Sequence, residues 1–124
     1  MQVLKRKQFA RWQYKEHISD ASLLRLVDEI EAGLIGVYLG SDLYKKRIAR
    51  RGEGKRSGHR VLLAARVGFR YVFLFGFSKS TQHNISADEQ KALQYVGTVF
   101  LQLNSPALQL ALSSGVLMEV GREQ

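Results

Sequence analysis

The chain has no cysteine and a single proline among its 124 residues. Without cysteine there can be no disulfide framework, no thiolate metal site and no cysteine nucleophile, a composition that suits a reducing cytosol. One proline, with hydrophobic residues at 45% and charged residues at 24%, argues against a disordered or linker-rich chain. Long apolar runs are missing as well. Nothing approaches the roughly 20 apolar residues of a membrane span, and the basic N-terminus "MQVLKRKQFARWQYKEH" leads into no apolar run of secretory length. The expectation is a cytoplasmic protein without a membrane partner. A chain of 124 residues has material for one core, so a single domain over residues 1–124 is expected.

Acidic side chains are scarce in one region. Between positions 43 and 85 eleven Lys and Arg residues stand against one acid, Glu53, whereas the rest of the chain holds eight bases and ten acids. The net charge of +8 is therefore regional, and it is densest in "LYKKRIARRGEGKRSGHR" at 43–60. A polyanion is the natural partner, because each phosphate neutralised by Lys or Arg releases condensed counterions and adds salt-dependent affinity. The alternative is a solvated basic surface that serves solubility. An anionic membrane fits less well, since Gly52, Gly54 and Gly58 interrupt any basic amphipathic helix.

Periodicity supplies a coarse structure. An initial strand near 3–5 and a short helix carrying Phe9 and Trp12, with Ile18 after it, open the chain. Leu23, Val27, Ile30 and Leu34 then recur at helical spacing, with Ser19 or Asp20 as N-cap and Gly33 and Gly36 at the end. Residues 43–49 read as a strand with Leu43, Lys45 and Arg47 on one face and Tyr44, Lys46 and Ile48 on the other. "RVLLAAR" and "RYVFLFGF", joined by "VGF", read as a buried hairpin at the centre of a sheet. "SADE" at 86–89 is a capping box, and the helix after it carries a stripe of Ala92, Val96, Val99 and Leu103, widened by Leu93 and Phe100. Ser105-Pro106 starts a last short helix, and "VLMEV" a last strand.

Several chemistries are excluded by spacing. "GEGKRSG" matches neither the dinucleotide fingerprint nor the phosphate-binding loop, and reads as a basic connection between two strands. His17, His59 and His83 are far apart and lack an adjacent carboxylate pair, so no metal is expected. Cleavage of RNA remains open to a purely basic site. The 2′-hydroxyl attacks its own neighbouring phosphate once a base, charge stabilisation and a leaving-group acid are positioned. A lysine crowded by cations can lose its proton and serve as base, while arginine stays charged and holds the phosphate. Lys55, Arg60 and Lys79 fit these roles by type, and plain phosphate contact without chemistry is their simpler reading.

Taken in order, "FARW" at 9–12, "ISDASLL" at 18–24, "LYKKRIARRGEGKRSGHRVLLAAR" at 43–66, "FLFGFSKS" at 73–80 and "NIS" at 84–86 are similar to the RelE/HigB group of type II toxins. The resemblance covers about residues 5–103. It implies an α+β fold, with N-terminal helices on a curved, mainly antiparallel sheet of about four strands and a C-terminal helix. It also implies a ribosome-dependent mRNA endonuclease without cofactor, silenced by a cognate helix-turn-helix antitoxin. Carried over residue by residue, it sets Lys45, Lys46, Arg47 and Arg50 on a basic strand, Lys55 and Arg56 on its loop, Arg60 on the next strand and Lys79 at the end of the hairpin, positions that in such toxins hold the mRNA and stabilise the cleavage transition state. The expectation built on this is that Arg60 and Lys79 contact the scissile phosphate, that Lys55 or His59 handles a proton, and that the 45–51 strand, Arg51 included, and Arg56 bind RNA. The sequence departs from the group at "SGHR" and "KSTQHNI", so His59 and His83 are local substitutions. A toxin fold that only binds nucleic acid or antitoxin is the alternative. A gyrase inhibitor of the related ParE group is a third reading, disfavoured by the dense cations at 45–60.

Overall fold

A computed structural model of the protein describes residues 1–48 and 58–121. Arg50, Arg51, Lys55 and Arg56 thus lie outside the described residues. The elements run β1 (Gln2–Arg6), α1 (Lys7–Lys15), α2 (Asp20–Glu31), β2 (Val37–Tyr38), β3 (Leu43–Arg47), β4 (His59–Arg66), β5 (Arg70–Ser78), α3 (Ala87–Leu101), α4 (Ser105–Ser113) and β6 (Leu117–Glu119). The strands form one sheet in the order β2-β3-β4-β5-β1-β6, with the hairpin β4–β5 at its centre as its apolar sequence requires. Every pairing is antiparallel except β1 with β5.

The α+β class holds, but six strands are present among the described residues where about four were expected. β6 falls within "VLMEV", read from the sequence as a last strand, so the element that was missed is β2, whose two residues are too short to show an alternating pattern. Helices also cover both faces. On one face Phe9 from α1 and Leu23, Val27 and Ile30 from α2 bury against Val61, Leu63, Tyr71 and Phe73. On the other, Leu93 and Leu101 from α3 and Leu108 from α4 bury against Leu43, Leu62, Ala64, Val72 and Leu74.

Local chemistry sets the boundaries. The Ser19 hydroxyl accepts the Ser22 amide at the start of α2, and Ser86 and Glu89 close the capping box of α3 reciprocally. α2 stops at Glu31, and Gly33 at φ +95° turns the chain away, so Leu34 is exposed instead of extending the apolar stripe. The stripe of α3 is rotated from the one periodicity indicates: Leu93, Gly97 and Leu101 face the sheet, while Ala92 and Val99 face solvent. The cause is Gly97, where a Cβ would stand 2.8 Å from that of Ala64 and 3.3 Å from Leu74 Cδ1. Lacking a side chain, Gly97 lets the helix sit down on β4 and β5 along that line.

Two cations of the basic region serve the fold. Arg70, 3% exposed, donates to the Gln2 side chain at 2.6 Å and to the carbonyls of Phe100 (2.8 Å), Leu103 (3.0 Å) and Leu101 (3.3 Å). It satisfies the carbonyls left over where α3 ends and sets a positive charge at the negative end of the helix dipole. Arg66 lies 3.9 Å from Asp42, both half-exposed. Arg66 pairs with Arg70 at the turn end of the hairpin, six residues of β4 or roughly 20 Å from Arg60.

Candidate nucleic-acid interface

The cations that gather do so at the other end of the sheet. In register, Arg47 of β3 lies opposite Arg60 of β4, which lies opposite Phe77 of β5. Side chains alternate along a strand, so Lys45, Arg47, Arg60 and, two residues past Phe77, Lys79 all point to the α3 face. With Gly36, Val37 and Lys46 these four line an open cleft of about 520 Å³. Arg47 and Lys79 are exposed, and Lys45 and Arg60 are half-buried.

Backbone and side-chain contacts hold the set in place. The Lys79 amide donates to the Gly58 carbonyl at 3.0 Å, closing the β4–β5 ladder just before the chain turns off, with Gly58 at φ +87°. Arg60 Nη1 donates to the His59 carbonyl at 3.3 Å. Lys45 Nζ donates to Asn84 Oδ1 at 3.2 Å, which ties the cleft to the loop leading into α3.

Among the described residues no acid neutralises these cations. Like charges directly opposite each other on neighbouring strands repel, and Arg47 faces Arg60 in this way. Burial, and then the charge of Arg47, push the Arg60 guanidinium below its ordinary value. Arginine nonetheless remains a cation at neutral pH, so the repulsion is relieved by an anion and not by proton loss. The described residues lining the cleft include no carboxylate. An anion with several negative oxygens, delivered from outside, fits this demand.

The structure separates the expected site residues. Lys45, Arg47, Arg60 and Lys79 come together. Lys46 lines the cleft with its aliphatic stem, but its ammonium turns to the α2 face, 2.8 Å from Glu29 Oε1 and 2.6 Å from the Leu34 carbonyl. His59 does not reach the cleft. Adjacent residues of a strand point to opposite faces, so the imidazole next to Arg60 goes toward α1. There it is 3% exposed, with Nε2 2.9 Å from Glu16 Oε1 and its ring 6.1 Å from that of Trp12. His83 is exposed in the loop before α3. Sequence reasoning missed Gly36, Val37, Asn84 and the partners Glu16 and Glu29. The first two belong to a segment whose only signal was a pair of glycines, and the acids are 43 and 17 positions from the residues they hold.

The fold and the cleft define an α+β protein that presents a cationic cleft on one end of its sheet. Residues 1–120 match the model of the RelE toxin of the RelE/RelB toxin-antitoxin system, and the chain belongs to this family. Membership makes it the toxin component of such a system and implies an antitoxin partner. A comparison with curated proteins finds no match. No helix among the described residues is long and apolar enough to cross a membrane.

Proposed function

We propose that the protein is a metal-independent endoribonuclease that cleaves mRNA on the ribosome and is held inactive by a helix-turn-helix antitoxin of the HigB-type systems, in the cytoplasm. The observation that carries this reading is the convergence of Arg47, Arg60, Lys45 and Lys79 on one open cleft. In the proposed reaction the RNA 2′-oxygen attacks the adjacent phosphorus while the bond to the 5′-oxygen breaks. The products are a 2′,3′-cyclic phosphate and a 5′-hydroxyl. Arg60 and Arg47 hold the non-bridging oxygens, whose added negative charge in the transition state is what a preorganised pair of cations stabilises best. Lys79, exposed at the rim, gives a proton to the leaving oxygen. The proton of the 2′-hydroxyl goes to a lysine, for which Lys55 is the candidate by type. His59 acts on this site only through the strand it shares with Arg60.

Expression under tight control, with mRNA ends mapped in translating cells, tests the reading. New ends and growth arrest are expected, and Arg60→Ala removes both while the purified variant keeps its circular dichroism. Arrest with no new ends overturns it. A second reading, a toxin fold that binds RNA or antitoxin without cleaving, is favoured by one fact: the described lining residues offer neither carboxylate nor imidazole for proton transfer. Binding by the purified protein with no cleavage in a translating extract would select it. A DNA-damage response without translational arrest would select the gyrase reading.

A further inference from the structure

Lys46 sits in the middle of the basic strand, yet its surroundings are those of a structural group. It is 7% exposed, and its ammonium meets Glu29 and the Leu34 carbonyl on the α2 side of the sheet. What those contacts hold is the segment 33–36, which leaves α2 and forms the wall of the cleft at Gly36 and Val37. Among the described residues the segment is otherwise tied by the Gly33 amide to the Ile30 carbonyl (3.0 Å) and the Leu34 amide to the Glu29 carbonyl (2.8 Å), both back to the end of α2 and neither to β3. Leu34 is 63% exposed and Ile35 39%, so burial of their side chains contributes little, and β2 adds only two paired residues. The approach is also close: a Cβ on Gly36 would collide with the Lys45 carbonyl and stand 2.8 Å from Lys46 Cδ. The segment therefore lies flat on β3, and Lys46 reaches past it to bind Leu34 and Glu29 at once.

We propose that Lys46 is a positioning residue of the RNA cleft and not a phosphate contact: by joining the Leu34 carbonyl to Glu29 it holds the 33–36 segment against β3 and so sets the distance from Gly36 and Val37 to Lys45, Arg47 and Arg60. The inference rests on the endoribonuclease reading for its catalytic consequence, though not for the clamp itself. A wall displaced by about 1 Å is enough to lower turnover by tenfold or more without removing a charge that faces the substrate.

Two measurements on the purified full chain decide it. The first is amide hydrogen exchange over residues 33–38 in the wild type, Lys46→Met and Glu29→Gln. The second variant replaces no residue that lines the cleft and keeps the side-chain volume, so it covers the case in which Lys46→Met fails to fold. Exchange at least tenfold faster in this segment, with the β4–β5 hairpin unchanged, is expected from each variant. The second is binding of a single-stranded oligoribonucleotide as a function of salt. Removing a lysine that neutralises a phosphate reduces the slope of log K against log[salt] by about 0.7, which is expected for Lys45→Met and Arg47→Met but not for Lys46→Met. A Lys46→Met slope reduced like that of Lys45→Met, or exchange at 33–38 unchanged in both variants, overturns the proposal. Wild-type protein that neither binds nor cleaves RNA would instead sink the endoribonuclease reading, and the exchange result would still decide whether Lys46 holds the wall.

Discussion

Replacing Arg70 by methionine tests whether a cation can be subtracted from the basic region without touching the interface. The guanidinium makes four hydrogen bonds, to Gln2, Phe100, Leu101 and Leu103, and three of them satisfy carbonyls at the end of α3. Hydrogen bonds to a charged group are worth about 1.5–3 kcal/mol net, and a buried acceptor left unpaired costs about 1–3 kcal/mol. The four do not add. The Leu101 bond is long at 3.3 Å, and the Phe100 and Leu103 carbonyls are only partly buried, so water recovers some of the loss. Methionine also keeps the apolar stem and removes the cost of burying a charge, a cost visible in the Arg70 guanidinium lying below its ordinary value, chiefly through burial and then through Arg66. The balance is a loss of about 3 kcal/mol, a large part of the roughly 5–15 kcal/mol available to a domain. In a chain of this size that lowers Tm by roughly 10 °C. Urea unfolding followed by far-ultraviolet circular dichroism reads the loss, and oligoribonucleotide binding at a temperature where the variant is folded should keep the wild-type salt slope. A loss under about 1 kcal/mol would refute the capping argument, and a flattened slope would mean that Arg70 meets the phosphates after all.

Two further perturbations probe the other polar contacts. The Asp20 carboxyl is pushed up by burial, but hydrogen bonds from Gln13, the Gly121 amide and Lys5, together with the Lys5 charge, outweigh this and leave it below its ordinary value. Its contribution is therefore complete above the unfolded value of about 3.9 and is lost as pH falls through the lower folded value. Asp20→Asn should cost about 1–2 kcal/mol at pH 7 and flatten the loss of stability below about pH 4, measured by thermal melts from pH 2 to 7. His59→Ala breaks a buried contact with Glu16, so the expected effect is about 2–4 kcal/mol of stability, with RNA cleavage at low temperature reduced far less than by Arg60→Ala. Cleavage abolished in a His59→Ala protein that melts like the wild type would restore a direct catalytic role.

Much of the fold was legible because it is written in local signals. The apolar hairpin, the capping box at Ser86 and the alternation at 43–47 each specify their element through residues a few positions apart. The face assignment of β3 followed from alternation alone, and with it the direction of Lys45 and Arg47. What could not be read was what lies across the sheet from each cation. Lys46 and His59 are cations or potential cations by composition, and only the packing of α2 and α1 supplies Glu29 and Glu16 to them. The rotation of α3 had a signal in Gly97, but periodicity weighs apolar side chains and gives a residue with none no vote. Likewise β2 and the cleft wall rest on pairing with β3, a long-range event that two residues cannot announce.

Composition also overstated the interface, and the excess can be measured. Among the described residues the basic region supplies Lys45, Arg47, Arg60 and Lys79 to the cleft, while Lys46, Arg66 and Arg70 answer carboxylates or carbonyls within the fold. Counterion release counts only cations that meet phosphate, at about 0.7 per contact for a single strand. Four cleft contacts alone give a slope of log K against log[salt] near −3, and adding Arg50, Arg51, Lys55 and Arg56 carries it to roughly −6. A wild-type slope of about −8 would require every cation of the region to face the RNA, which the partners of Lys46 and Arg70 forbid. The double variant Lys55→Gln/Arg56→Gln then divides the two cases: a slope that stays near −3 assigns binding to the cleft, and a steeper wild-type slope that falls by about 1.4 places the 55–56 pair on the RNA.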